Sequence, residues 1–171
     1  GRFLRHVADL FTERLTSEVL LTLLKHPLTN TASGDGRKEH QRHARALELQ
    51  LRRKGPPYPD AASFADFGAG PKAPPAAWTG WLTDGFADQV VTGELPLTDW
   101  VTRLRQQAEL IATGPGDSGS GKLWQENAGK SAADVMARLD TEAAAGGPMS
   151  AREFADLLAA LLTTEEVRDR D

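Results

Sequence analysis

The residues of this sequence that could carry chemistry fall into three groups, each asking for a different partner. The first is Gly116-Asp117-Ser118-Gly119-Ser120-Gly121-Lys122, which fits the GxxxxGK part of a phosphate-binding loop. In such a loop glycines let backbone N–H groups wrap the phosphates, lysine reaches them, and a following Ser or Thr binds magnesium. Here the next residue is Leu123, so the magnesium ligand is missing. The segment also follows an amphipathic helical pattern, where the loop requires a buried strand. Gly116, Gly121 and Lys122 are therefore rejected as a nucleotide site, and with it a phosphate-using enzyme.

The second group is the histidines. His40 and His43 stand three apart on a predicted helix, a spacing that can present two imidazoles to one metal. The order Glu39-His40-Gln41-Arg42-His43 is not the HExxH of zincins, and no signature places a third ligand. Arg42 and Arg45 also make the local field unfavourable to a cation. These histidines read as partly exposed helix residues, or as one core histidine at His40. His26 precedes Pro27 at a helix end, where its ring can bond the last free carbonyls; His6 has no companion. With no cysteine in the chain, disulfides, thiolate zinc sites and iron–sulfur ligation within it are excluded. No catalytic residue, metal or cofactor is expected in this fragment.

The third group is a basic strip. Between Asp35 and Lys54 the cations are Arg37, Lys38, Arg42, Arg45, Arg52, Arg53 and Lys54, against Asp35, Glu39 and Glu48: a net of +4 in a chain of net −4. Such a row can meet nucleic-acid phosphates without reading sequence. Equally, it can be a solvated face whose charges pair along the helix, as Glu48 with Arg52 would at i,i+4. No aromatics interleave the strip, so single-strand stacking is not expected there. Trp78, Trp81, Trp100 and Trp124 fall in or beside apolar phase and read as core.

All of these must be positioned by helices. The chain has 171 residues, 40% hydrophobic but only 6% aromatic, so the core must come mainly from Leu, Ala and Val. Apolar spacing predicts helices over Phe3–Arg14, from Thr16 or Ser17 until Pro27 ends it, and over Arg37–Arg53 with an inner row of His40, Ala44, Leu47 and Leu51. A short helical turn at Ala61–Phe67 would pin Tyr58, Phe64 and Phe67 on the core. Helices are expected again at Ala76–Val91, with Val90 in phase, and after Pro96. A short piece at Leu123–Asn127 precedes Ser131–Ala145, which Gly146-Gly147 ends. The last helix opens with a capping box, Ser150-Ala151-Arg152-Glu153. Loops of flexible composition fall at about 28–36, 55–75 and 113–122. No alternating pattern flanked by hairpin turns occurs, so an all-α single domain over 1–171 is expected. No apolar run approaches the length of a membrane span, and a cytoplasmic location without a membrane partner is expected. Gly1-Arg2-Phe3 opens without methionine and a polar tail closes at Asp171, which reads as a fragment of a longer protein.

The order of segments carries a resemblance. Leu23-Leu24-Lys25-His26-Pro27-Leu28 is followed by a polar loop and by Arg45-Ala46-Leu47-Glu48-Leu49-Gln50-Leu51-Arg52-Arg53-Lys54-Gly55-Pro56. A Trp-containing helix, Ala108-Glu109-Leu110-Ile111-Ala112 and Leu123-Trp124 come later. Together these resemble the AddB family of the AddAB helicase–nuclease in its alphaproteobacterial form. The likeness is specific over about residues 20–56 and agrees elsewhere in order and composition.

The resemblance implies an irregular multi-helix accessory domain, comparable to a 2B-type insertion, within an inactivated superfamily I helicase-like subunit. The parent complex would be a bacterial ATP-dependent helicase–nuclease of double-strand DNA break repair and homologous recombination. The implied partners are DNA without sequence preference, the AddA-type subunit and the rest of the parent chain. None of the family's catalytic parts falls in this segment, so no functional residue carries over. The alternative is a protein–protein interaction or scaffold domain with no direct DNA role.

Overall fold

Short polar side chains and prolines set the helix boundaries. The structure, a computed structural model, describes residues 1–170 apart from Ser33, and for Asp35, Asp169 and Arg170 the backbone alone. Among the described residues there are eight helices: α1 Arg2–Asp9, α2 Ser17–Leu24, α3 Arg37–Lys54, α4 Ala61–Ala69, α5 Ala76–Phe86, α6 Leu97–Thr113, α7 Glu126–Ala143 and α8 Ala151–Arg170. Their apolar faces meet in one cluster, in which α1 packs on α6 and α8, and α7 on both α6 and α8. The expected all-α class stands. Among the described residues no helix is long and apolar enough to cross a membrane.

Caps account for several starts. Thr16 accepts from the Val19 N–H at the head of α2. Asp60 and Ser63 form a reciprocal capping box on α4, hard to read in the sequence because Ser replaces the usual Glu or Gln. The Ser150–Glu153 box is present: Glu153 N–H donates to Ser150 Oγ, and Ser150 N–H donates to the Glu153 carboxylate, both at 3.1 Å.

The structure departs from the sequence pattern in four places. Helix α1 stops at Asp9 and not near Arg14. Leu10, Phe11 and Thr12 each donate back only three residues, so the chain tightens into turns while Leu10 and Phe11 stay buried. Helix α5 ends at Phe86. Asp88 then takes a left-handed φ of 54°, Val91 N–H bonds the Phe11 carbonyl, and Val90 is left exposed. Tyr58 is exposed too, its ring lying under the Arg14 guanidinium at 4.2 Å. Finally, Leu123–Asn127 is no separate helix: a turn runs through Trp124 and α7 begins at Glu126.

The fold also contains a two-stranded ribbon that no pattern in the sequence predicts. Strands β1 (Glu94–Pro96) and β2 (Pro148–Ser150) pair antiparallel, with Leu95 opposite Met149. Each strand runs straight into a helix, so the pairing sets the heads of α6 and α8 side by side. Trp100 completes the junction, donating from Nε1 to the Met149 carbonyl at 2.8 Å and stacking on Phe154 with centroids 5.6 Å apart. At three residues each, prolines included, the strands leave no alternation to read.

The polar loop before α3 is built into the core. Thr29 and Asn30 are buried, and Asn30, Thr31 and Ala32 donate their N–H groups to the carbonyls of Ile111, Ala112 and Thr113. These are orphan carbonyls of the last turn of α6, satisfied here by a distant strand-like segment. Asn30 takes φ 56°, a conformation its short amide side chain tolerates. Thr31 Oγ1 donates to the Ala112 carbonyl and accepts from Lys122 N–H, tying the 113–122 segment to the same place.

Candidate functional site

Helix α3 presents two chemically opposed sides because its sequence interleaves apolar and basic residues at helical spacing. The inward side carries His40, Ala44, Leu47 and Leu51, all buried. His40 is the polar member. Trp78 Nε1, which can only donate, points at His40 Nδ1 from 3.2 Å, so Nδ1 is the acceptor. The ring proton therefore sits on Nε2 and is donated to the Leu24 carbonyl at 2.7 Å. Asn30 Nδ2 makes a second contact to Nδ1 at 3.1 Å. Burial, the largest influence, holds the His40 pKa at about 4 despite the Leu24 bond, with Arg37 and His43 acting in the same direction as burial. Both ring nitrogens are occupied, so His40 is a core histidine and no metal ligand. His43 instead sets its ring edge-on to Trp78 at 5.5 Å. Among the described residues no group of three or more His, Cys, Asp or Glu is placed to hold a metal ion.

His26 does the reverse of what its position suggested. Its Nδ1 accepts from the Leu28 N–H at 3.1 Å, and its ring packs edge-on against Phe3. The free carbonyls there are met by Arg37, which donates to the His26 carbonyl at 3.0 Å and to that of Thr29. Arg37 is thus the first of the seven basic residues, and its charge is turned inward.

The other six lie on the outer side and flanks, and all are exposed. Glu48 organises two of them. Its carboxylate is buried, with Lys25 Nζ at 2.9 Å and Arg52 Nη2 at 3.0 Å on Oε2, and Arg45 Nη1 at 3.6 Å from Oε1. The expected Glu48–Arg52 pair is there, joined by Lys25 from the end of α2. The Lys25 hydrogen bond is the main cause holding Glu48 below the ordinary glutamate range, against the effect of burial. Arg42 pairs with Glu39. Lys38, Arg53 and Lys54 have no carboxylate partner among the described residues; the side chain of Asp35, the strip's remaining anion, lies outside them.

Beside this row runs a groove of about 410 Å³ between α3 and the turn after α4. Arg42, Arg45, Arg53, Lys54 and Lys72 rim it, and among the described residues no carboxylate lines it. Its floor is apolar, made by Ala46, Leu49, Phe67 and Pro71. Lys72 lies outside the basic strip, and nothing in its local sequence connects it with α3.

The remaining candidates are dispersed. The glycine-rich segment Gly116–Lys122 follows helix α6, not a strand, and Lys122 is exposed. Trp78, Trp81 and Trp100 are buried and Trp124 is half-buried; every indole N–H has an acceptor, that of Trp124 being the Glu109 carboxylate at 3.1 Å. No family model, curated protein or solved structure matches the chain.

Proposed function

We propose that this chain is a non-catalytic helical domain of an AddB-like, inactivated helicase subunit. In that role it contributes DNA and subunit contacts, through α3, to double-strand break repair and recombination in the bacterial cytoplasm. The observation that carries the contact role is the outer side of α3. There, among the described residues, Lys38, Arg53 and Lys54 keep uncompensated charge at the surface, joined across the groove by Lys72. Exposed, unpaired cations on one rigid helix are the physical means of gripping phosphates without sequence preference. The family assignment rests on the order of segments over residues 20–56, of which α3 is the largest part.

Fluorescence anisotropy with a forked DNA duplex tests the contact role. With Lys38, Arg53, Lys54 and Lys72 engaged, log K should fall with log salt with a slope of about −3 to −4, since each neutralised phosphate contributes about −0.9. No binding at low salt, or binding indifferent to salt, contradicts it.

A further inference from the structure

The groove beside α3 has a feature that phosphate contact does not use, namely its apolar floor. Leu49 is 38% exposed, in the middle of the cationic row, where a solvated or phosphate-binding helix face would carry a polar residue. Ala46 and Leu49 lie about one turn apart on α3, and Phe67 and Pro71 close the floor from the opposite wall.

A nucleic acid gains little from such a floor. Phe67 is buried, so it offers no open ring face for a base, and the floor has no other aromatic residue. The rim, by contrast, is cationic on both walls, with Arg53 and Lys54 on α3 and Lys72 opposite, none of them paired to a carboxylate among the described residues.

We infer that the groove is a docking site for an acidic amphipathic protein segment, whose apolar side chains seat on Leu49 and Ala46 while its carboxylates meet the rim. This rests on the reading of α3 as a contact surface and names a partner for it. Helix-in-groove recognition works in this way, with anchors at i, i+3, i+4 and i+7 giving affinity and flanking charges giving orientation. From Arg42 to Lys54 the wall is about 18 Å long at 1.5 Å per residue, which suits roughly three turns of helix. Because Arg53, Lys54 and Lys72 serve both ligands, segment and DNA exclude one another.

The test uses the full 171-residue chain and a fluorescein-labelled helical peptide with Leu at i, i+3, i+4 and i+7 and Glu at most other positions. Binding is expected, and Leu49→Ser is expected to weaken it by about tenfold, the scale of losing a central anchor. The same variant should leave forked-duplex binding unchanged, and the peptide should displace the duplex. A peptide with Ser in place of Leu should bind at least about tenfold more weakly than its parent. If the Ser peptide binds equally well, or Leu49→Ser weakens duplex and peptide alike, the inference is overturned. Peptide binding without duplex binding would sink the DNA reading and leave this one standing; duplex binding without peptide binding does the opposite.

Discussion

Replacing His40 with Ala is expected to lower the stability of the fold by about 4 kcal/mol at pH 7.5, measured by urea denaturation. Two costs combine. A buried ring is removed from between α2, α3 and α5, leaving a cavity, and the Trp78 N–H and Leu24 carbonyl lose their partner. The wild-type chain should also lose stability on acidification, with a window set by His40. Its folded pKa of about 4 lies below its ordinary 6.5, so the unfolded chain takes up the proton first. This contribution is fully present above pH 6.5 and is lost as the pH falls toward 4, a change of about 3 kcal/mol. Burial lowers His26 and His43 as well, adding smaller changes of the same sign, while the depressed Glu48 acts only below about pH 4.5. The gap between wild type and His40→Ala should therefore shrink between pH 6.5 and 4. Parallel pH profiles for the two proteins would contradict this account of His40.

The second large effect is on DNA. Changing Lys38, Arg53 and Lys54 of α3 together to Ala should weaken forked-duplex binding by about a hundredfold at low salt and flatten its salt dependence. Arg45 and Arg52 are left in place deliberately. They accompany Lys25 around the buried Glu48 carboxylate, and removing them would leave a buried charge poorly compensated. The three chosen residues sit on an exposed helix face, where Ala is a good helix former, so far-ultraviolet circular dichroism should be unchanged. Arg37→Ala makes the contrasting control. It should cost stability and leave affinity alone, because Arg37 donates to the His26 and Thr29 carbonyls. Equal loss of affinity in the two variants would refute this division of roles.

Much of the frame is legible in the sequence because its causes are local. Thr16 and Pro27 bracket α2, the row His40–Ala44–Leu47–Leu51 sets the inward side of α3, and Ser150 with Glu153 opens α8. What could not be read depends on partners far along the chain. Thr31 meets a carbonyl 81 residues away, so a segment of loop composition becomes buried structure. The β1–β2 ribbon joins two three-residue strands that only the fold brings together. The site divides in the same way. Glu48–Arg52 follows from i,i+4 spacing, but Lys25, which completes that cluster, arrives from α2. Lys72, with Phe67 and Pro71 of the groove floor, arrives from α4 and the turn after it. Size and apolar character point Tyr58 and Val90 inward, yet each lies just outside a helix, where the chain turns away from the core.

The central claim is that the chain acts through the outer side of α3 and the facing turn at Lys72. Amide chemical-shift mapping of the isotope-labelled chain, titrated with forked duplex at low salt, tests it most directly. Shifts should concentrate on residues 38–54 and on Lys72 and fade as salt is raised. Shifts confined to α7 and α8, or none at any concentration, would contradict it.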